Sequence, residues 1–290
     1  MNIVQNLRRT RPRLIIAATV LAIAALLIPA SHVASARAAS AGTSGPKPTI
    51  VLEHGAWADS SSWNGVIRRL QRDSYTVDAP PNPLRGLSYD SATLADYLAT
   101  IPGPIVLVGH SYGGAVITNA ATGNPNVKAL VYVDAFIPAQ GDSVSGLAAA
   151  QPGSCLNGDP AKIFNLVPYP GAPSGDFDAY LNTAANPPYP GFARCFANGL
   201  PAQQAALLAV TQRPIALSAV SAPSGPPAWK TIPSWAVIGT ADHVIPPAEQ
   251  LFMAKRAHAY ITQINAGHLS LISRPGAVTN VILRAAQATR

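Results

Sequence analysis

Six short runs of apolar, mostly β-branched residues punctuate the chain, at residues 49–52, 75–77, 105–108, 129–133, 235–238 and 261–264. Continuous apolar runs of this length, bounded by turn residues, are what strands buried on both faces of a parallel sheet look like. Between them the apolar positions recur at helical spacing, over about 62–72, 89–100, 112–121 and 247–257, with a last helix near 277–288. This alternation predicts an α/β fold, with a mostly parallel sheet of at least six strands and helices on both faces.

One stretch breaks the pattern. Residues 137–233 are rich in Pro, Gly, Asn and Ala and offer only scattered helical segments, such as 201–210. An insertion between two strands leaves and re-enters at one end of the sheet, so it is expected as a cap over the carboxyl ends of the strands, where folds of this class bind ligands.

Composition supports one globular unit. Of the 290 residues 48% are hydrophobic and 11% charged, which excludes a disordered or coiled-coil chain. The formal charge of +7 invites a nucleic-acid or anionic-membrane reading until the charges are placed. Five of the 20 basic residues, Arg8, Arg9, Arg11, Arg13 and Arg37, and none of the 13 acidic ones, fall in residues 1–38. The rest of the chain carries an excess of only two positive charges and no basic block, so nucleic acid is not an expected partner.

Residues 1–38 read as a signal peptide: an Arg-rich start, an apolar run over 14–30, and small residues ending in Ala34-Ser35-Ala36 or Ala36-Arg37-Ala38, with cleavage expected near Ala38. The alternative is an uncleaved membrane anchor, because residues 14–36 approach the about 20 apolar residues that span a bilayer. Cleavage leaves a secreted protein with no membrane association, beginning with an Ala/Gly/Ser/Pro linker over 39–48. Cys155 and Cys195 both lie in the exported part, and an even count there suggests one disulfide, worth roughly 3–4 kcal/mol through loop closure. The two cysteines have no histidines spaced for a metal site, and no metal is expected.

The chemistry concentrates in residues 104–116, where a strand runs directly into Gly109-His110-Ser111-Tyr112-Gly113 and then a helix. A serine on so sharp a strand-to-helix turn is the nucleophile-elbow arrangement, with Gly109 and Gly113 keeping the flanking segments from clashing. A serine hydroxyl is a poor nucleophile at neutral pH and needs a base and an orienting acid, here expected downstream in the order acid, histidine. His268, in the loop after the last strand, is the expected base. Asp242, after the strand at 235–238, is the expected acid, and Asp134, at the end of the strand at 129–133, is the alternative acid. If Asp134 is not the acid, it is expected to hydrogen-bond loop amides near the cap hinge. The amides of Ala56, in His54-Gly55-Ala56-Trp57, and of Tyr112 are the expected oxyanion donors, and His54 is expected to be structural. Loss of one such donor costs about 100–1000-fold in rate.

With elbow, acid, histidine and the His54–Trp57 loop in this order, the chain resembles the α/β-hydrolase superfamily over nearly all of residues 49–290. It looks most like compact bacterial serine hydrolases related to plant methylesterases and hydroxynitrile lyases, with Gln212-Arg213-Pro214-Ile215 ahead of residues 229–235 as a further mark of kinship. The resemblance implies the α/β-hydrolase fold and a secreted serine carboxylesterase that cleaves small-molecule esters through an acyl-enzyme, without cofactor. Related lyases carry threonine where Gly55 stands and lysine where Leu269 stands, and both departures favour the esterase. The alternatives are a slow-turnover or non-catalytic ligand-binding hydrolase, a hydroxynitrile lyase and a cofactor-free haloperoxidase. Relatives often place an acid after the cap phenylalanine; here the run is Phe196-Ala197-Asn198-Gly199. Phe177, Tyr180, Tyr189 and Phe192 suggest a mostly apolar acyl or alcohol pocket, while ordinary packing within the cap is the favoured reading for any single one of them.

Overall fold

The computed structural model describes residues 45–290. The expected signal segment and most of the linker lie outside the described residues. The chain opens with β1 (Thr49–Glu53), a single 3-10 turn (Ser60–Trp63) and α1 (Asn64–Arg72), followed by β2 (Val77–Asp78) and α2 (Leu87–Ala99). The helix expected over 62–72 thus begins within a 3-10 turn, which Asp59 caps by accepting from the Ser61 amide. Then come β3 (Ile105–His110), α3 (Tyr112–Ala120) and β4 (Val127–Val133).

Between β4 and its next sheet neighbour the chain leaves the main sheet. It forms α4 (Val144–Ala150), α5 (Pro160–Ile163), β5 (Phe164–Val167), β6 (Asp178–Leu181), α6 (Gly191–Cys195), α7 (Ala202–Thr211), β7 (Ile215–Ala216) and α8 (Leu217–Ser221). The segment is more regular than its composition suggests, for β5, β6 and β7 make a small antiparallel sheet of their own. Strands of four and two residues interrupted by Pro and Gly give no run long enough to read as period-2 alternation. The main sheet resumes with β8 (Ser234–Gly239), α9 (Pro247–Arg256), β9 (Tyr260–Ile264), α10 (Ser270–Ser273) and α11 (Pro275–Ala288).

All five pairings of the main sheet are parallel, in the order β2-β1-β3-β4-β8-β9. β3 and β8 are buried at every position, so helices cover both of their faces, and their sequences are accordingly continuous rather than alternating. The edge strand β9 keeps exposed positions, Tyr260 among them. α1 shows how the helices attach: Val66 and Leu70, one turn apart, are buried, while arginines occupy much of the opposite side. The order of strands reverses between β1 and β3, so the crevice outside the carboxyl ends of those two strands is the topological switch point at which such sheets bind ligands.

Candidate active site

β3 passes into α3 through one residue, Ser111, whose backbone sits at φ 54° and ψ −124°. A non-glycine side chain in this region is strained, and the surroundings must hold it there. They do so from the end of β4 and the loop after it: Ser111 N donates to Val133 O at 3.3 Å, and Ser111 O accepts from Phe136 N at 3.2 Å. A Cβ on Gly113 would stand 2.7 Å from the Glu53 carbonyl oxygen, so only glycine lets α3 start this close to the end of β1. Ser111 is 2% exposed and faces a cavity.

The loop after β1 presses on the same turn. A Cβ on Gly55 would lie 2.8 Å from both Ser111 Cβ and the His110 carbonyl oxygen. His54 anchors this loop from below. Its Nε2 accepts from Asn82 N at 2.9 Å, which leaves Nδ1 to donate to Gly55 O at 2.9 Å, and Asn82 Nδ2 donates to His54 O at 3.0 Å. Burial lowers the His54 pKa to about 4, so it stays neutral and keeps that donor pattern. The Trp57 amide donates to Arg213 O and its indole to Ala179 O, tying the loop to the inserted segment. Among the described residues neither the Ala56 nor the Tyr112 amide is spent on an acceptor.

At the other side of the crevice the loop after β8 presents Asp242 to His268. Asp242 Oδ2 accepts from His268 Nδ1 at 2.8 Å and from Gln250 Nε2 at 2.7 Å, while Oδ1 accepts from the amides of Val244 (2.7 Å) and Ile245 (3.0 Å). Burial pushes the carboxyl up and the His268 imidazole down; the amide and Gln250 donors oppose the first shift. With Nδ1 donating to the carboxylate, Nε2 is left with its lone pair. That atom is buried and has no hydrogen-bond partner among the described residues, Ser111 included. Such catalytic hydrogen bonds are often unformed until substrate arrives.

Asp134 takes a different place. Its carboxylate accepts from Gly239 N at 2.7 Å and Ser270 N at 3.1 Å, joining the end of β8 to the segment after His268, and it makes no hydrogen bond to the imidazole. Burial and the neighbouring Asp242 charge push its carboxyl well above the usual range. Of the two acids named from sequence, the structure brings Asp242 to the histidine and leaves Asp134 on backbone amides.

Three supports were not legible beforehand. Gln250 lies on α9, with its head group shared between Asp242 and Ile245 O. His110 Nε2 donates to His268 O at 3.0 Å, and their rings stand 4.8 Å apart. Asn198, two residues after Phe196, accepts from His268 N at 3.4 Å and donates to Ala241 O at 2.6 Å. The only advance signal for Gln250 was its place one helical turn into α9, close behind Asp242 in the chain.

Ser111 opens into a cavity of about 410 Å³. Phe136, Phe164, Leu156, Ile215 and Leu217 form much of its wall, and among the described residues no charged side chain lines it. The four aromatics that suggested an apolar pocket, Phe177, Tyr180, Tyr189 and Phe192, do not line it. Phe192 is fully buried beside Phe196, and the Tyr189 hydroxyl accepts from Asp159 N. Nothing in the local sequence distinguishes an aromatic that packs within the insertion from one that faces Ser111; tertiary placement decides it. Cys155 and Cys195 form a disulfide, immediately before the Leu156–Gly158 part of this wall.

The sequence pattern of the Alpha/beta hydrolase family matches residues 50–281. A carbendazim-hydrolysing esterase from a Nocardioides species is 32% identical over 151 residues, which span 41% of this chain and 62% of that esterase. Among solved structures, a pyrethroid hydrolase from Sphingobium faniae is 22% identical with a TM-score of 0.61, covering 83% of this chain and 98% of its own. Tomato methylketone synthase I, solved with 2-tridecanone, is 19% identical with a TM-score of 0.65, covering 85% and 100%. At these identities the two structures share the fold.

Proposed function

Since the chain belongs to the alpha/beta hydrolase family, we propose that it hydrolyses carboxylic esters through a covalent acyl-enzyme on Ser111, with His268 as base and Asp242 as acid. One observation carries the reading: the Asp242–His268 hydrogen bond of 2.8 Å orients an imidazole whose Nε2 is unpartnered among the described residues, and His110, the residue before Ser111 on its strained turn, donates to the His268 carbonyl at 3.0 Å.

In this reading His268 Nε2 takes the Ser111 hydroxyl proton as Oγ attacks the ester carbonyl. The amides of Ala56 and Tyr112 donate to the tetrahedral oxyanion, and Asp242 stabilises the imidazolium and holds its orientation. The proton then passes to the departing alkoxide, and a water activated by the same Nε2 releases the acid and regenerates Ser111. No step calls for a metal or organic cofactor.

A cavity of about 410 Å³ without a charged lining favours an uncharged ester of moderate size. The names of relatives that hydrolyse carbendazim and pyrethroids fit neutral, mostly apolar substrates of that kind. Export as a secreted enzyme is part of the proposal, supported by the pattern of residues 1–38 and by the disulfide. Among the described residues no helix is long and apolar enough to cross a membrane.

The test is a panel of p-nitrophenyl esters of graded acyl length against wild type and Ser111→Ala, with fluorophosphonate labelling of both. Turnover and labelling that vanish in Ser111→Ala are expected. Equal, slow hydrolysis of the whole panel by the two proteins overturns the proposal.

A further inference from the structure

The cavity at Ser111 has a lining that offers water few hydrogen bonds. Two of its aromatic residues carry a polar tip, and both tips are committed elsewhere: the Trp57 indole donates to Ala179 O at 2.9 Å, and the Tyr112 hydroxyl to Asp90 Oδ2 at 2.7 Å. The polar residues Ser145, Asn157 and Ser221 are exposed, which places them at the mouth. The Ser221 hydroxyl is also turned to its own helix, donating to Leu217 O at 3.3 Å. Deeper in, the wall is apolar, with Phe136, Val144, Ala148, Ile215 and Val244 all buried.

The nucleophile that cleaves an acyl-enzyme on Ser111 has to enter this space. A water molecule inside a protein is held by roughly two to four polar partners. With Ser111 acylated, no buried side chain among the described residues that line the cavity has a free polar atom, and His268 Nε2 is a single partner. A primary alcohol brings the same O–H group and buries its alkyl chain against the wall, a gain of about fourfold for each methylene.

We propose that short primary alcohols compete with water for the acyl-enzyme, so that the protein is also an acyltransferase that forms alkyl esters. This rests on the acyl-enzyme reading above. The alcohol's proton passes to His268 Nε2 as its oxygen bonds to the acyl carbon. Collapse of the tetrahedral intermediate breaks the bond from that carbon to Ser111 Oγ, which recovers the proton from the imidazolium. A small acyl group such as acetyl leaves most of the about 410 Å³ to the alkyl chain.

The test gives wild type and Ser111→Ala p-nitrophenyl acetate together with n-alkanols from methanol to hexanol at equal concentration, and separates acetate from alkyl acetate by gas chromatography. In wild type alone, the ratio of alkyl acetate to acetate is expected to rise about fourfold per carbon until the cavity is filled. In Ala148→Phe, whose larger side chain narrows the cavity, the rise should stop at a shorter alcohol. Acetate without alkyl acetate, or a ratio that does not grow with chain length, overturns acyl transfer and leaves ester hydrolysis standing. A rise that runs equally far in Ala148→Phe overturns it by placing the alkyl chain outside the cavity. Neither product above the Ser111→Ala level overturns both readings.

Discussion

Gln250 Nε2 lies 2.7 Å from Asp242 Oδ2, the same oxygen that accepts from His268 Nδ1. One carboxylate oxygen therefore takes both donors, and the glutamine limits the rotation that would carry it off the imidazole. The Ile245 carbonyl, 2.9 Å from the same nitrogen, fixes the amide in turn. Replacing Gln250 by Leu removes a hydrogen bond to a charged group, worth about 1.5–3 kcal/mol. We expect kcat to fall roughly tenfold or more with KM little changed, and a partial return in Gln250→Asn. A Gln250→Leu enzyme with wild-type kcat would show that the glutamine only packs.

Gly55 is the point at which the loop after β1 touches the nucleophile turn. Gly55→Thr places a Cβ where Ser111 Cβ and the His110 carbonyl already stand, so the loop must retreat and take the Ala56 amide with it. Loss of one oxyanion donor corresponds to about a 100-fold or greater fall in kcat. Steady-state kinetics of the variant, with circular dichroism to show that it folds, checks this.

The disulfide braces the acid loop from outside the cavity. Cys155 N donates to His243 O at 2.8 Å, Ser154 Oγ to Val244 O at 2.7 Å, and His243 Nδ1 to Arg194 O, next to Cys195, at 3.0 Å. Replacing both cysteines by serine frees two segments that hold the loop carrying Asp242. Thermal unfolding should drop by about 10 °C, the equivalent of about 3–4 kcal/mol for a chain of this size. Well below that temperature kcat/KM should already be reduced several-fold. A variant that melts earlier with full activity would confine the disulfide to stability.

In the proposed mechanism the pH dependence follows from the burial of His268. A base acts only when neutral, and burial lowers the His268 pKa, so protonation that would stop the proposed reaction sets in only well below the ordinary 6.5. In a buffer series, kcat/KM at pH 5.5 should stay within about twofold of its value at pH 7.5. An acid limb centred at or above pH 6.5 would contradict this placement of the imidazole.

The cavity wall offers a test of acyl selectivity. Ala148 and Ala149 of α4 line it, and a larger side chain there subtracts directly from the 410 Å³. Ala148→Phe should leave short-chain esters unaffected while kcat/KM for long-chain esters falls by about tenfold, measured on the same p-nitrophenyl series. An unchanged chain-length profile would place the acyl group elsewhere.

Periodicity was enough for the frame of this protein, because the strands of a sheet covered on both faces must be apolar throughout and the helices between them must repeat every three to four residues. It located all six main-sheet strands to within about two residues. The turn at Ser111 was equally local: glycines two positions either side of a serine, between a strand and a helix, leave few other conformations. Apart from the single possible cysteine pairing, what sequence could not settle was the relationships between distant segments. Asp242 and Asp134 both follow strands and both sit at the carboxyl end of the sheet, and only the approach of two loops puts one on the imidazole and the other on amides. The insertion's small sheet, the aromatics that turn away from the cavity and Gln250 behind the acid were hidden for the same reason. A side chain's partner is set by packing across the fold, and short loops rich in proline and glycine carry no period from which that packing can be read.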